Sequence, residues 1–205
     1  MALLTCTAYR RVSPVWLKWL LLGCGMLVLS RYLTMTLLTH PEAPQRFFGL
    51  WPCWFSTAVG FMLPSVFAVD ALLKHPALTP TIWLQRVSPF LVVAIVSILA
   101  AGATPVPDAL GGWTVRLGTW GRISLALTEG LFAVGFIGLC VVCMRKISDW
   151  PIRKALGGLV LAYGALGMAQ LCDVLGSGPV GPILVSEMLT GLALWYAYDT
   201  SHATP

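Results

Sequence analysis

Leu91-Val92-Val93-Ala94-Ile95-Val96-Ser97-Ile98-Leu99-Ala100-Ala101 decides the fold class. This run is apolar on every face. A barrel strand crossing a bilayer alternates lipid-facing apolar residues with polar ones, and this run does not alternate. A helix hydrophobic all round suits lipid or a protein core. Extended outward, the run becomes a helix over 82–103, long enough for the roughly 20 residues that a bilayer requires. Five more stretches read the same way: 15–39, 49–73, 121–144, 152–175 and 179–198. The sequence therefore predicts an all-α polytopic membrane protein, one transmembrane domain over 1–205 built as a bundle of six helices.

Composition agrees. The chain is 58% hydrophobic and 10% charged, with a mean hydropathy of +0.82. Soluble domains carry about 25% charged residues. The net charge of +5 is distributed as orientation demands rather than as a nucleic-acid surface. With the N-terminus in the cytoplasm, Arg10, Arg11, Lys18, Lys74, Arg86, Arg145, Lys146, Arg153 and Lys154 fall inside. Only Arg46, Arg116 and Arg122 fall outside, and Arg31 lies within a helix. That is the positive-inside bias, and it places both termini in the cytoplasm. It leaves the lipid bilayer as the expected partner and excludes nucleic acid.

Arg10, Arg11 and Lys18 resemble the basic start of a signal peptide, and Leu21-Leu22-Gly23-Cys24 loosely resembles a lipoprotein cleavage box. Too few apolar residues separate Lys18 from Cys24 for a signal core, and the apolar run continues to Leu38, so a retained first helix is expected. Trp16, Trp19, Trp51, Trp83, Trp113, Trp120, Trp150 and Trp195 fall near predicted helix ends, where amphipathic rings anchor at the interface. Pro105, Pro107, Gly111 and Gly112 argue against regular structure in the first half of the longest loop, 104–120. Asp70-x-Leu72-x-x-x-Pro76 and Asp173-x-Leu175-x-x-x-Pro179 form a faint echo between two three-helix halves. An inverted repeat of that kind occurs in many transporters, although an acid, a Leu and a Pro are also common at helix ends.

Ionisable residues inside a span cost about 2.5–3.5 kcal/mol each on insertion scales, so they face protein, water or one another. At about 1.5 Å per residue, Arg31, Glu129 and Glu187 lie at a similar depth in the outer half. Asp173 and Gln170 sit nearer the outer end of the fifth helix. Gly158, Ala162, Ala165 and Ala169 lead to Asp173 at helical spacing, a stripe that lets helices approach closely. Arg31, Glu129, Asp173, Glu187 and Gln170 are therefore the candidate ion, proton or substrate site. Three acids against one base leave charge to be neutralised by protons or a cation. The competing reading is structural: Arg31 can snorkel, and an Arg–Glu pair can simply fix packing. Asp70 is expected to pair at the surface with Lys74.

Other signals point elsewhere. Cys140-x-x-Cys143 falls at the cytoplasmic end of its helix, where thiols stay reduced, and reads as packing. His40, His75 and His202 lie in loops or the tail, so no haem or metal ligand set is apparent. No hydrolase elbow, zinc-protease pair or P-loop occurs, which argues against an enzyme. The leading expectation is a small transporter or channel with a proton- or cation-binding site. The alternatives are a non-catalytic accessory subunit of a respiratory or photosynthetic complex, with other membrane subunits or further copies as partners, and a membrane sensor.

Overall fold

The computed structural model describes residues 15–38, 48–73, 80–107, 112–174 and 180–203. Helix α1 spans Val15–Leu38. A 3-10 helix, Phe48–Phe55, then leads into α2 (Ser56–Gly60) and α3 (Met62–Leu73). Helix α4 is Pro80–Ala100. Strands β1 (Ala103–Pro107) and β2 (Trp113–Leu117) follow. The chain continues through α5 (Thr119–Lys146), α6 (Trp150–Val174) and α7 (Val180–Ala203). The molecule is an all-α bundle, and five segments are long and apolar enough to cross a membrane: Trp16–Leu38, Gly49–Leu73, Pro80–Ala100, Thr119–Lys146 and Trp150–Cys172. Helix α7 is comparable in length but carries Ser186, Glu187, Thr190 and Asp199, and does not join those five.

Local chemistry sets the helix ends. Pro80 opens α4 and Pro151 sits in the first turn of α6, where a missing N–H is harmless. Arg145 and Lys146 close α5, favourable against the negative end of its dipole.

The second span is the hub of the bundle. Two thirds of it (67%) is buried, against 28–39% for the other four. It packs against α1, α4 and α7. The main core runs along it, joining Val66, Phe67 and Val69 to Leu21 and Val28 of α1, Phe132 and Phe136 of α5, Leu156 and Leu159 of α6 and Leu194 of α7. The outward faces of the remaining helices stay apolar, as with Val92, Val96 and Leu99 of α4 or Leu127, Leu131 and Val134 of α5. Such faces suit lipid, which is as apolar as they are.

Three expectations need correction. The 104–120 segment is not an irregular loop over its first half: β1 and β2 form an antiparallel hairpin pairing Ala103 with Leu117 and Pro107 with Trp113. Pro105 and Pro107 are two residues apart, so both occupy the one parity of an edge strand whose N–H can point away from its partner. Gly112, at φ 88°, supplies the left-handed turn geometry that glycine tolerates. The second span is also not a uniform α-helix, because it begins in 3-10 geometry around Pro52 and is interrupted at Phe61. Finally, Trp83 is no interfacial anchor. It is buried, and its Nε1 donates to Asp70 Oδ1 at 2.8 Å. Trp16, Trp19, Trp120 and Trp150 are exposed near helix ends as expected, whereas Trp195, also exposed, lies eight residues before the end of α7.

The hairpin marks one end of the bundle. Val115 packs with Leu38 at the end of α1 and with Trp54 of the 3-10 segment, while Leu117 packs with Ala94, Ile98 and Leu125 of α4 and α5. Glycine permits close approaches at Gly60 and Gly121. A Cβ on Gly60 would stand 2.7 Å from Val28 Cγ2, and one on Gly121 would stand 2.0 Å from the Ala101 Cβ.

Candidate functional site

Arg31 and Glu187 meet inside the bundle. Arg31 lies seven residues before the end of α1, and Glu187 seven residues after the start of α7. Both are thus about 10 Å from the hairpin end. Arg31 Nε stands 3.0 Å from Glu187 Oε1 and donates to Oε2 at 3.1 Å. Both side chains are buried, at 5% and 2% residue exposure, so each charge depends on the other and on nearby dipoles.

The remaining partners come from the second span and α1. Thr57 Oγ1 donates to Glu187 Oε1 at 2.9 Å. Tyr32 Oη reaches Oε2 at 3.5 Å, the limit of hydrogen-bond range. Arg31 Nη1 donates to the Trp54 carbonyl, and the guanidinium carbon lies 5.7 Å from the Trp54 ring centre. That carbonyl is accessible because the span leaves α-helical geometry here, with Phe55 at φ −104°, ψ 7°. Non-helical backbone at membrane depth is tolerated where protein buries it and supplies partners. Arg31 does so. Beside it, Ser56 Oγ donates to the carbonyl of Cys53 at 2.7 Å, and lies 3.1 Å from the Ser30 hydroxyl, tying the 3-10 segment to α1.

The other sequence candidates have different surroundings. Glu129 is half-buried on α5, within electrostatic reach of the Tyr163 hydroxyl. Helix α5 starts at Thr119, so Glu129 lies ten residues in, about one turn deeper than Arg31 or Glu187. Gln170 is half-buried on α6. Asp173 belongs to α6, but its side chain lies outside the described residues, as do Lys74, His40, His75, Pro76 and Pro179. Of the small-residue stripe on α6, Ala162 and Ala169 are buried and Gly158 and Ala165 half-buried. Cys140 is fully buried and, like Cys143, carries no disulfide.

A second polar group lies deeper along the same span. Ser65 Oγ donates to the Phe61 carbonyl at 2.7 Å and is hydrogen-bonded to Tyr163 Oη, which also reaches the Phe61 carbonyl at 3.2 Å. Tyr198 Oη of α7 donates to the Pro64 carbonyl at 2.9 Å. Aromatic packing holds Tyr163 in place, with the Phe136 ring 4.6 Å and the Phe132 ring 5.9 Å away between centroids.

Sequence reasoning missed Thr57, Trp54, Ser65, Tyr163 and Tyr198. A signal existed in Phe55-Ser56-Thr57 and Pro64-Ser65, polar positions inside an otherwise apolar span and beside its prolines. The Trp54 contribution is a main-chain carbonyl, which no residue type announces. No family model, curated protein or solved structure matches this chain.

Proposed function

We propose that the protein is a small membrane transporter or channel whose polar site is built on Arg31 and Glu187. In this reading Glu187, Glu129 and Asp173 are the proton- or cation-binding groups, Gln170 is a neutral ligand beside them, and Arg31 is the counter-ion. One observation carries it: a buried ion pair closes on non-α main chain in the most buried span. Binding sites of many transporters lie at discontinuous helices, and ionisable groups at membrane depth mark ion and proton pathways.

Chemically, the Glu187 carboxylate already holds three donors, from Arg31, Thr57 and Tyr32. A proton or small cation arriving there competes with the guanidinium. Displacing Arg31 would also release the Trp54 carbonyl and loosen the 3-10 segment from α1. Binding and a change in the second span are thus coupled through one side chain.

The test is flux through purified protein in liposomes, with protons followed by an internal pH dye and monovalent cations by radiotracer. Glu187→Gln and Glu129→Gln should each abolish flux while the protein remains folded and monodisperse. Undiminished flux in both variants would leave Arg31 and Glu187 as packing groups. Purification with stoichiometric partner subunits, and no flux alone, would favour the accessory-subunit reading instead.

A further inference from the structure

The second span carries polar groups well beyond the Arg31–Glu187 pair. Thr57, Phe61 and Ser65 recur every four residues, which stacks them on one helix face about one turn apart. Each rung is met by a polar side chain from another helix. Glu187 meets Thr57, Tyr163 meets Ser65 and the Phe61 carbonyl, and Tyr198 meets the Pro64 carbonyl. Asp70, five residues beyond Ser65, falls on another face of α3 and is bonded to Trp83 instead. A hydrophobic hub would pack as well with Val, Phe and Leu at these positions. Instead the span aligns hydroxyls and main-chain carbonyls below the Glu187 carboxylate.

We propose that Glu187, Thr57, Ser65, Tyr163 and Tyr198 form a proton path along the second span. This deepens the transporter reading and rests on it, naming the proton as the ion moved.

The chemistry of the rungs favours protons over metal cations. Hydroxyls relay a proton by accepting one on a lone pair and releasing their own to the next acceptor, with no net change. The Ser65–Tyr163 pair suits this, because either oxygen can be the donor and both face the Phe61 carbonyl. Two hydroxyl hydrogens shared among three oxygens have alternative arrangements of similar energy, and passing between them reorients the relay. Along the axis, Thr57 and Ser65 are about 12 Å apart. Pro64 has no N–H to give the Gly60 carbonyl, one turn back. That carbonyl is the acceptor that would hold bridging water in this interval. The Ser65–Tyr163 rung brings together only three oxygens, too few to replace the hydration shell of a monovalent cation.

The experiment uses the full chain in liposomes, with a pH step imposed and the potential clamped by potassium and valinomycin. Proton entry is read from trapped pyranine, and rubidium uptake is measured in parallel. The wild type should pass protons without rubidium. Tyr163→Phe and Ser65→Ala should each slow proton entry at least tenfold, and Tyr198→Phe should do so independently. Each variant's thermal melt shows whether it is folded. Proton entry at wild-type rate in folded Tyr163→Phe and Ser65→Ala, with Glu187→Gln inactive, would overturn the path and leave the transporter reading standing. Rubidium uptake without proton entry in the wild type would do the same. Neither ion moving in the wild type would overturn both.

Discussion

Removing the charge of Glu187 should destabilise the protein more than removing that of Arg31. In Glu187→Gln the guanidinium keeps its full charge at 5% exposure, because arginine does not deprotonate in proteins. Stripping one partner from a buried pair costs about 3–5 kcal/mol. In Arg31→Met the carboxylate keeps the Thr57 and Tyr32 hydroxyls and can relieve its charge by taking up a proton. The main loss is then the bond to the Trp54 carbonyl, about 1–3 kcal/mol. The double variant leaves no buried charge and should resemble Arg31→Met, so the coupling should equal the cost of Glu187→Gln, roughly 3–5 kcal/mol. At about 2–4 °C per kcal/mol for a chain of this size, Glu187→Gln should melt roughly 10 °C below wild type and the other two roughly 5 °C below. Tryptophan fluorescence in detergent reads this directly. Additive losses in the double variant, or Arg31→Met less stable than Glu187→Gln, would refute the view that the pair is buried and mutually dependent.

Four further outcomes follow from the packing. Gly60→Ala should cost about 1–3 kcal/mol through overpacking, since its Cβ would meet Val28 Cγ2 at 2.7 Å; Val28→Ala in the same chain should restore part of the melting temperature. Gly121→Ala should be at least as damaging, with Ala101→Gly as its partial rescue, because the clash is with the Ala101 Cβ. Trp83→Phe keeps the ring but strips Asp70 of its 2.8 Å donor, so a loss of about 1–3 kcal/mol is expected, and an unchanged melt would show that the bond contributes nothing. A cysteine placed at exposed Arg116 on β2 should react with a membrane-impermeant maleimide in intact cells; labelling only after lysis would reverse the orientation inferred from the basic residues.

The sequence by itself determined that the chain is a helical membrane bundle. Runs such as Leu91 to Ala101 admit neither an alternating strand nor a soluble amphipathic helix, and these are one-dimensional properties. It also singled out Arg31 and Glu187, because an ionisable residue in an apolar run is visible without coordinates. The tertiary structure alone decided that these two pair while Glu129 sits about a turn deeper on α5, since depth depends on where α5 starts and contact on which helices are neighbours. The hairpin was hidden because Pro and Gly speak against strands until two parities and a partner are known. The central role of the second span was hidden as well. Its apolar residues resemble those of its neighbours, and only packing reveals that it is the one surrounded by protein. Its carbonyls at Trp54, Phe61 and Pro64 become ligands only where the backbone departs from the α-helix and side chains from other helices arrive to meet them.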